Sequence, residues 1–153
     1  MFEMNLVEMV ALVWLLVVKR GMRKIYVDVD GVMLDGSLDE MFKEMVKKEG
    51  IDNAIAWYEE QRVEDLEINI ELLDRLYELK EKYNVKIIMW TNRGSMNIES
   101  TFNNLGKYVC LFDDYMFMEG KKGKSIPVDG IVIDNEEKYL PVGGGVWIET
   151  FMG

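Results

Sequence analysis

The chain has 153 residues, 18 basic and 28 acidic side chains, a net charge of −10, one cysteine and no histidine. These counts exclude a histidine-activated nucleophile, His-ligated zinc, an internal disulfide and any CxxC metal or redox motif. They also argue against a non-specific nucleic-acid binder, and the length suits one domain of ~150 residues.

Residues 1–21 form a first, apolar segment. Met9 to Val18 (MVALVWLLVV) is an unbroken apolar run followed by Lys19 and Arg20. As a helix it spans roughly 15 Å, half of a hydrocarbon core, and it lacks the basic n-region and cleavage site of a secretory signal. Three readings stay open: an appendage packed on the domain or on a partner, a membrane-surface anchor through residues 9–18, or translated sequence upstream of a start at Met22.

Residues 22–153 read as the working domain. Lys24–Val29 is a short β-branched strand that ends at Asp30-Gly31. Ser37, with Glu40 three residues on, predicts a capping box. The helix behind it carries Leu38, Met41, Phe42, Met45 and Val46 on one face and ends at Gly50. A second helix is expected over Asp52–Val63. A third carries Leu66, Ile70, Leu73 and Leu76. Val85–Trp90 is the next strand, Ser95 caps a further helix, and Tyr108–Phe112 is expected as a third strand with Cys110 in the core. Gly130–Ile133 is a fourth strand, Glu136–Tyr139 a turn or short helix, and Val146–Thr150 a last strand after a turn at Gly143–Gly145. The alternation predicts an α/β, Rossmann-like three-layer sandwich with a mainly parallel sheet of about five strands.

In such a sheet ligands bind outside the carboxyl ends of the strands. Strand one delivers Asp28 and Asp30 there, strand two Thr91 and Asn92, and strand four Asp134 and Asn135, with Lys121, Lys122 and Lys124 in the loop before strand four. Residues two apart on a strand share a face. Asp28 and Asp30 therefore crowd, which suits a divalent cation or a division into nucleophile and general acid-base. Asp113-Asp114 follows Thr91 too closely to leave room for a lysine-bearing segment and is read as a loop.

The order Asp28-Val29-Asp30-Gly31-Val32, Thr91-Asn92-Arg93, a lysine within 121–124 and Ile133-Asp134-Asn135 resembles the haloacid dehalogenase-like superfamily of aspartate-dependent phosphohydrolases, over roughly residues 22–149. It looks closest to the small capless members, in which the lysine lies just before the last acidic strand, as in GKSIPVDGIVIDN here; residues 37–83 read as core-facing helices with no large inserted cap. The resemblance implies a phosphatase that forms an aspartyl-phosphate. Asp28 would be the nucleophile, Asp30 the general acid-base, Thr91 a donor to the phosphoryl group and Lys124, by its spacing before strand four, the neutralising lysine. Asn92, Gly31 and Arg93 would contact substrate. Magnesium would be held by the Asp28 carboxylate, the Asp30 backbone carbonyl and Asp134. The expected partner is a small phosphorylated substrate, with no nucleic acid, and an open site would be shielded by a bulky substrate or by a neighbouring subunit of a homo-oligomer. A cytoplasmic location is expected. Two alternatives use similar residues: a receiver-like phospho-aspartate signalling domain, which needs a lone strand-end Asp between the acid pair and Thr91, and a catalytically inactive binding protein that keeps the fold.

Overall fold

The computed structural model describes residues 5–61, 66–141 and 145–147. The end of the helix expected to reach Val63, most of the Gly143–Gly145 turn and the strand end at residues 148–150 lie outside them.

Helix α1 (Leu6–Arg20) starts at Asn5, whose Oδ1 accepts from Glu8 N at 2.9 Å, and stops at Gly21, whose φ of 66° is the left-handed conformation that ends a helix cheaply only in glycine. Strand β1 (Lys24–Val27) follows, then α2 (Ser37–Glu49), α3 (Ile51–Glu59), α4 (Ile70–Tyr83), β2 (Lys86–Thr91), α5 (Ile98–Leu105), β3 (Asp114–Phe117), β4 (Ile131–Asp134) and β5 (Gly145–Trp147). The five strands make one sheet in the order β3-β2-β1-β4-β5, and every pairing is parallel. The chain runs outward from β1 to β3 and returns on the other side of β1 as β4. That reversal puts a topological switch point, and so a crevice, between the carboxyl ends of β1 and β4.

Strands β1, β2 and β4 are buried on both faces past their first residues, so they read as continuous apolar runs. Ile25, Val27, Ile87, Met89, Ile131 and Ile133 belong to the larger core, which α1, α4 and α5 close. The alternate residues Tyr26, Ile88, Trp90 and Val132 face the other way, against Met118, Ile126, Tyr139 and Leu140. Helix α1 is part of the core: Met9, Val13 and Val17 are fully buried, and Trp14 Nε1 donates to the Tyr83 hydroxyl at 2.7 Å. Among the described residues no helix is long and apolar enough to cross a membrane.

Four expectations need correction. The third strand is not Tyr108–Phe112, because Gly106–Leu111 winds into 3-10 turns and Cys110 is exposed. The strand lies at Asp114–Phe117, in the stretch read as a loop, where the Asp113 carboxylate accepts from Ile87 N at 2.9 Å and aligns the chain beside β2. Ser37 forms no capping box. It donates through N and Oγ to the Asp35 carboxylate, and the cap position is Gly36. Ser95 opens a 3-10 turn under the carboxylate of Glu119, which accepts from its N–H at 3.1 Å.

The fourth correction concerns the site. Helices α2 and α3 are not core-facing: α2 buries no residue, and their apolar sides meet each other, as in the Phe42–Tyr58 ring pair at 5.6 Å. The periodicity of α2 is genuine, but it marks a hairpin seam and a pocket wall. A helical hairpin inserted between β1 and α4 therefore stands beside the carboxyl edge of the sheet.

Candidate active site

The carboxyl ends of β1, β2 and β4 bring together Asp28, Thr91 and Asp134. Asp28 continues the β1 path, its N–H donating to Ile133 O at 3.0 Å. Asp134 ends β4 and is fully buried, as is Thr91 at the end of β2, while Asp28 is 8% exposed. Between the two acids lies one amine. Lys122 Nζ is 3.0 Å from Asp28 Oδ1 and 2.6 Å from Asp134 Oδ2, with 1% of the side chain exposed. The 3-10 turn Lys122–Lys124 turns Lys122 inward and leaves Lys121 and Lys124 exposed. Lys122, and not Lys124, is thus the lysine at the acid pair.

Aromatic and amide groups hold that lysine. Its ammonium lies 4.2 Å from the Trp90 ring centroid and 4.7 Å from that of Tyr139, where ring quadrupoles favour a cation. Asn92 Oδ1 accepts from Lys122 N at 3.0 Å, and its Nδ2 donates to the Tyr139 hydroxyl at 2.9 Å. Asn92, expected to contact substrate, braces the lysine turn and also lines the cavity beside Asp30. Glu136 N donates to Asp134 Oδ1 at 2.9 Å and fixes the second acid.

The electrostatics follow from burial. Desolvation, reinforced by repulsion from Asp134, pushes the Asp28 carboxyl well above the ordinary range. Desolvation also raises Asp134, against the pull of Lys122. Burial disfavours the Lys122 ammonium, but attraction to Asp28 and Asp134 outweighs it, so the amine is held protonated. When all three ionise, two carboxylates face one ammonium.

Asp30 is held separately. Arg93 Nη2 donates to Asp30 Oδ1 at 2.7 Å and Nε to Oδ2 at 3.0 Å, a two-pronged ion pair, while Nη1 donates to Thr101 Oγ1 at 2.8 Å. Arg93 is 6% exposed. Expected at the substrate, it is engaged with Asp30 and α5 and also lines the cavity beside Asp30. Thr91 Oγ1 accepts from Arg93 N at 3.1 Å, which couples the two. Gly31 makes the turn after Asp30: its φ of 83° favours glycine, and its N–H donates to Leu34 O at 2.8 Å. Lys43 of α2 pairs with Asp39 one turn back on the same helix at 3.1 Å and ties the hairpin across the site to Glu136 at 2.8 Å.

No group of three or more acidic, cysteine or histidine side chains that could hold a metal occurs among the described residues. The two buried carboxylates of Asp28 and Asp134 nonetheless fit a hard divalent cation. They are oxygen donors at the same buried edge of the sheet and, when both ionise, exceed the charge of the one Lys122 ammonium between them; magnesium takes one or two carboxylates and keeps its remaining positions for water and phosphate.

Sequence reasoning missed Trp90 and Tyr139 as neighbours of the site. Trp90 carried a signal, since it immediately precedes the strand-end Thr91. Tyr139 carried none, whereas Glu136 stands just beyond the Asp134-Asn135 motif in sequence.

The fold and its polar edge define an α/β domain of Rossmann-like topology with paired acids at the switch point. Two solved structures share the fold. One is a protein assigned as a beta-phosphoglucomutase from Thermotoga maritima, 13% identical, with a TM-score of 0.51 over 76% of this chain and 78% of that one. The other is a HAD-superfamily hydrolase, subfamily IA, variant 1, from Geobacter sulfurreducens PCA, 14% identical, with a TM-score of 0.51 over 77% of this chain and 82% of that one. The chain therefore has the haloacid dehalogenase-like fold. No family model and no curated protein matches it in sequence.

Proposed function

We propose that the protein is a magnesium-dependent phosphatase that hydrolyses a phosphomonoester through an aspartyl-phosphate on Asp28. The observation that carries this reading is the Lys122 ammonium held between Asp28 and Asp134 at the switch point of the sheet. A carboxylate attacks a phosphate ester only where cations offset the repulsion between two anions, and this is the one place among the described residues where a buried lysine faces two buried acids.

A carboxylate oxygen of Asp28 attacks phosphorus; a P–O bond forms to Asp28 as the ester P–O bond breaks. Asp30 gives a proton to the departing oxygen. It then takes a proton from water, whose oxygen attacks the acyl phosphate, so that phosphate leaves and Asp28 is regenerated. Arg93 holds the Asp30 carboxylate at the edge of the site through its two-pronged ion pair. Thr91 Oγ1 and Lys122 Nζ stabilise the charge on the transferring group. Magnesium, held by the Asp28 and Asp134 carboxylates and the Asp30 backbone carbonyl, would supply positive charge to the phosphoryl oxygens.

The receiver-like alternative loses its support: among the described residues no strand lies between β1 and β2, so no strand-end Asp stands where a phosphoacceptor would be required. The test is a panel of phosphomonoesters with and without magnesium. Turnover that needs the metal and disappears in Asp28→Asn is expected, and its absence across the panel would reject the reading.

A further inference from the structure

Beside Asp30 a cavity of about 520 Å³ opens between the α2–α3 hairpin and the loop that follows β2. That volume suits a small molecule. Its apolar wall is Phe42, Ile51, Ile55, Tyr58 and Met96. Three of these are unusually exposed for their type: Met96 at 75%, Ile51 at 52% and Ile55 at 42%. Apolar side chains left in water around one opening next to a reacting acid mark a binding surface.

The charges on the same wall are one-sided. Arg93 is engaged with Asp30, and Lys43 with Asp39 and Glu136. The carboxylates of Asp30, Asp39 and Glu119 also line the cavity. Among the described residues both wall cations are therefore paired, and there a second phosphate or carboxylate on the substrate would meet acids and no unpaired cation.

We propose that this cavity receives the leaving group of the ester, and that the leaving group is an uncharged, apolar alkyl or aryl moiety. The proposal rests on the phosphomonoester reading, because Asp30 is what joins the cavity to the reaction. Phe42, Ile55 and Met96 are its specificity-determining residues. Doubly anionic esters are the substrates it disfavours.

Binding separates this proposal from the reaction. Calorimetric titration of the full chain with magnesium uses two non-hydrolysable probes, ethylphosphonate and hexylphosphonate, and the doubly anionic 3-phosphonopropionate. Each buried methylene is worth roughly a fourfold gain in affinity, so hexylphosphonate should bind at least about tenfold tighter than ethylphosphonate. 3-Phosphonopropionate should bind more weakly than both. Ile55→Asp should remove most of the gradient. Met96→Lys, at a position too exposed to matter for folding, should reduce it and improve the anionic probe. Equal affinities, tighter binding of the anionic probe, no binding of either alkyl probe, or a gradient unchanged in both variants would each overturn the proposal. A gradient with no hydrolysis of ethyl or hexyl phosphate would reject the phosphatase reading and keep the pocket. Hydrolysis with a flat gradient would do the reverse.

Discussion

Lys122 Nζ stands 2.6 Å from Asp134 Oδ2, a contact in which neither side chain is more than 1% exposed. Twelve residues separate them in sequence, and the intervening chain leaves the sheet, makes a 3-10 turn and returns as β4. A buried ion pair broken on one side leaves the other charge uncompensated, at a cost of about 3–5 kcal/mol. Lys122→Met should destabilise the protein by that order in urea titrations, and lower turnover by about 10²–10³-fold in whatever folded protein remains. Lys124→Met, at an exposed position, should change stability by less than about 0.5 kcal/mol. Equal effects of the two substitutions would refute the assignment of Lys122.

Asp28→Asn should divide stability from activity. The Asp28 carboxyl is raised by burial and by Asp134, so an isosteric amide removes a charge that folding must strain to keep. Thermal unfolding should rise by a few degrees, corresponding to about 1 kcal/mol, while phosphatase turnover falls by about 10³-fold or more. A variant that loses stability would show Asp28 to be held by more favourable contacts than its surroundings indicate.

The first helix should prove necessary for folding. Met9, Val13, Leu16 and Val17 are buried, and losing them together removes roughly 6–12 kcal/mol of burial, comparable with the whole stability of a domain, about 5–15 kcal/mol. A chain beginning at Met22 should lack a cooperative thermal transition. A stable, fully active shortened protein would favour the reading of residues 1–21 as sequence upstream of the start.

The acid limb of stability should depend on Asp113. Burial works to raise its carboxyl, but hydrogen bonds from Ile87 N–H and Lys80 outweigh it and hold it below the ordinary value. A carboxyl depressed in the folded state contributes stability that is complete above its unfolded value and is lost as the pH falls below about 4. Asp113→Asn should lower stability at neutral pH and flatten the decline between about pH 5 and pH 3, as read from thermal unfolding across that range. A parallel downward shift of the whole curve would contradict the linkage.

Some of the site was legible because its signals are local. Asp28, Thr91 and Asp134 each follow an apolar run, and a parallel strand must end in a polar group near the carboxyl edge where ligands bind. Lys124 was favoured over Lys122 because spacing along a loop says nothing of which way a 3-10 turn faces. Tyr108–Phe112 was taken for a strand because its residues have high β propensity, yet Asp114–Phe117 pairs with β2, where Asp113 can accept from Ile87 N. Propensity is a weak prior that pairing overrides.

From the sequence by itself come the α/β class, the parallel sheet, the strand-end acids and the exclusion of histidine chemistry, since all of these follow from periodicity, order and composition. Tertiary structure alone decided which lysine is buried between the acids, that Arg93 grips Asp30, and that α2 and α3 form a hairpin beside the site. It also made α1 part of the core. An amphipathic pattern states that a face will be covered, but what covers it depends on residues far away in the chain, and long-range packing is where those partners are chosen.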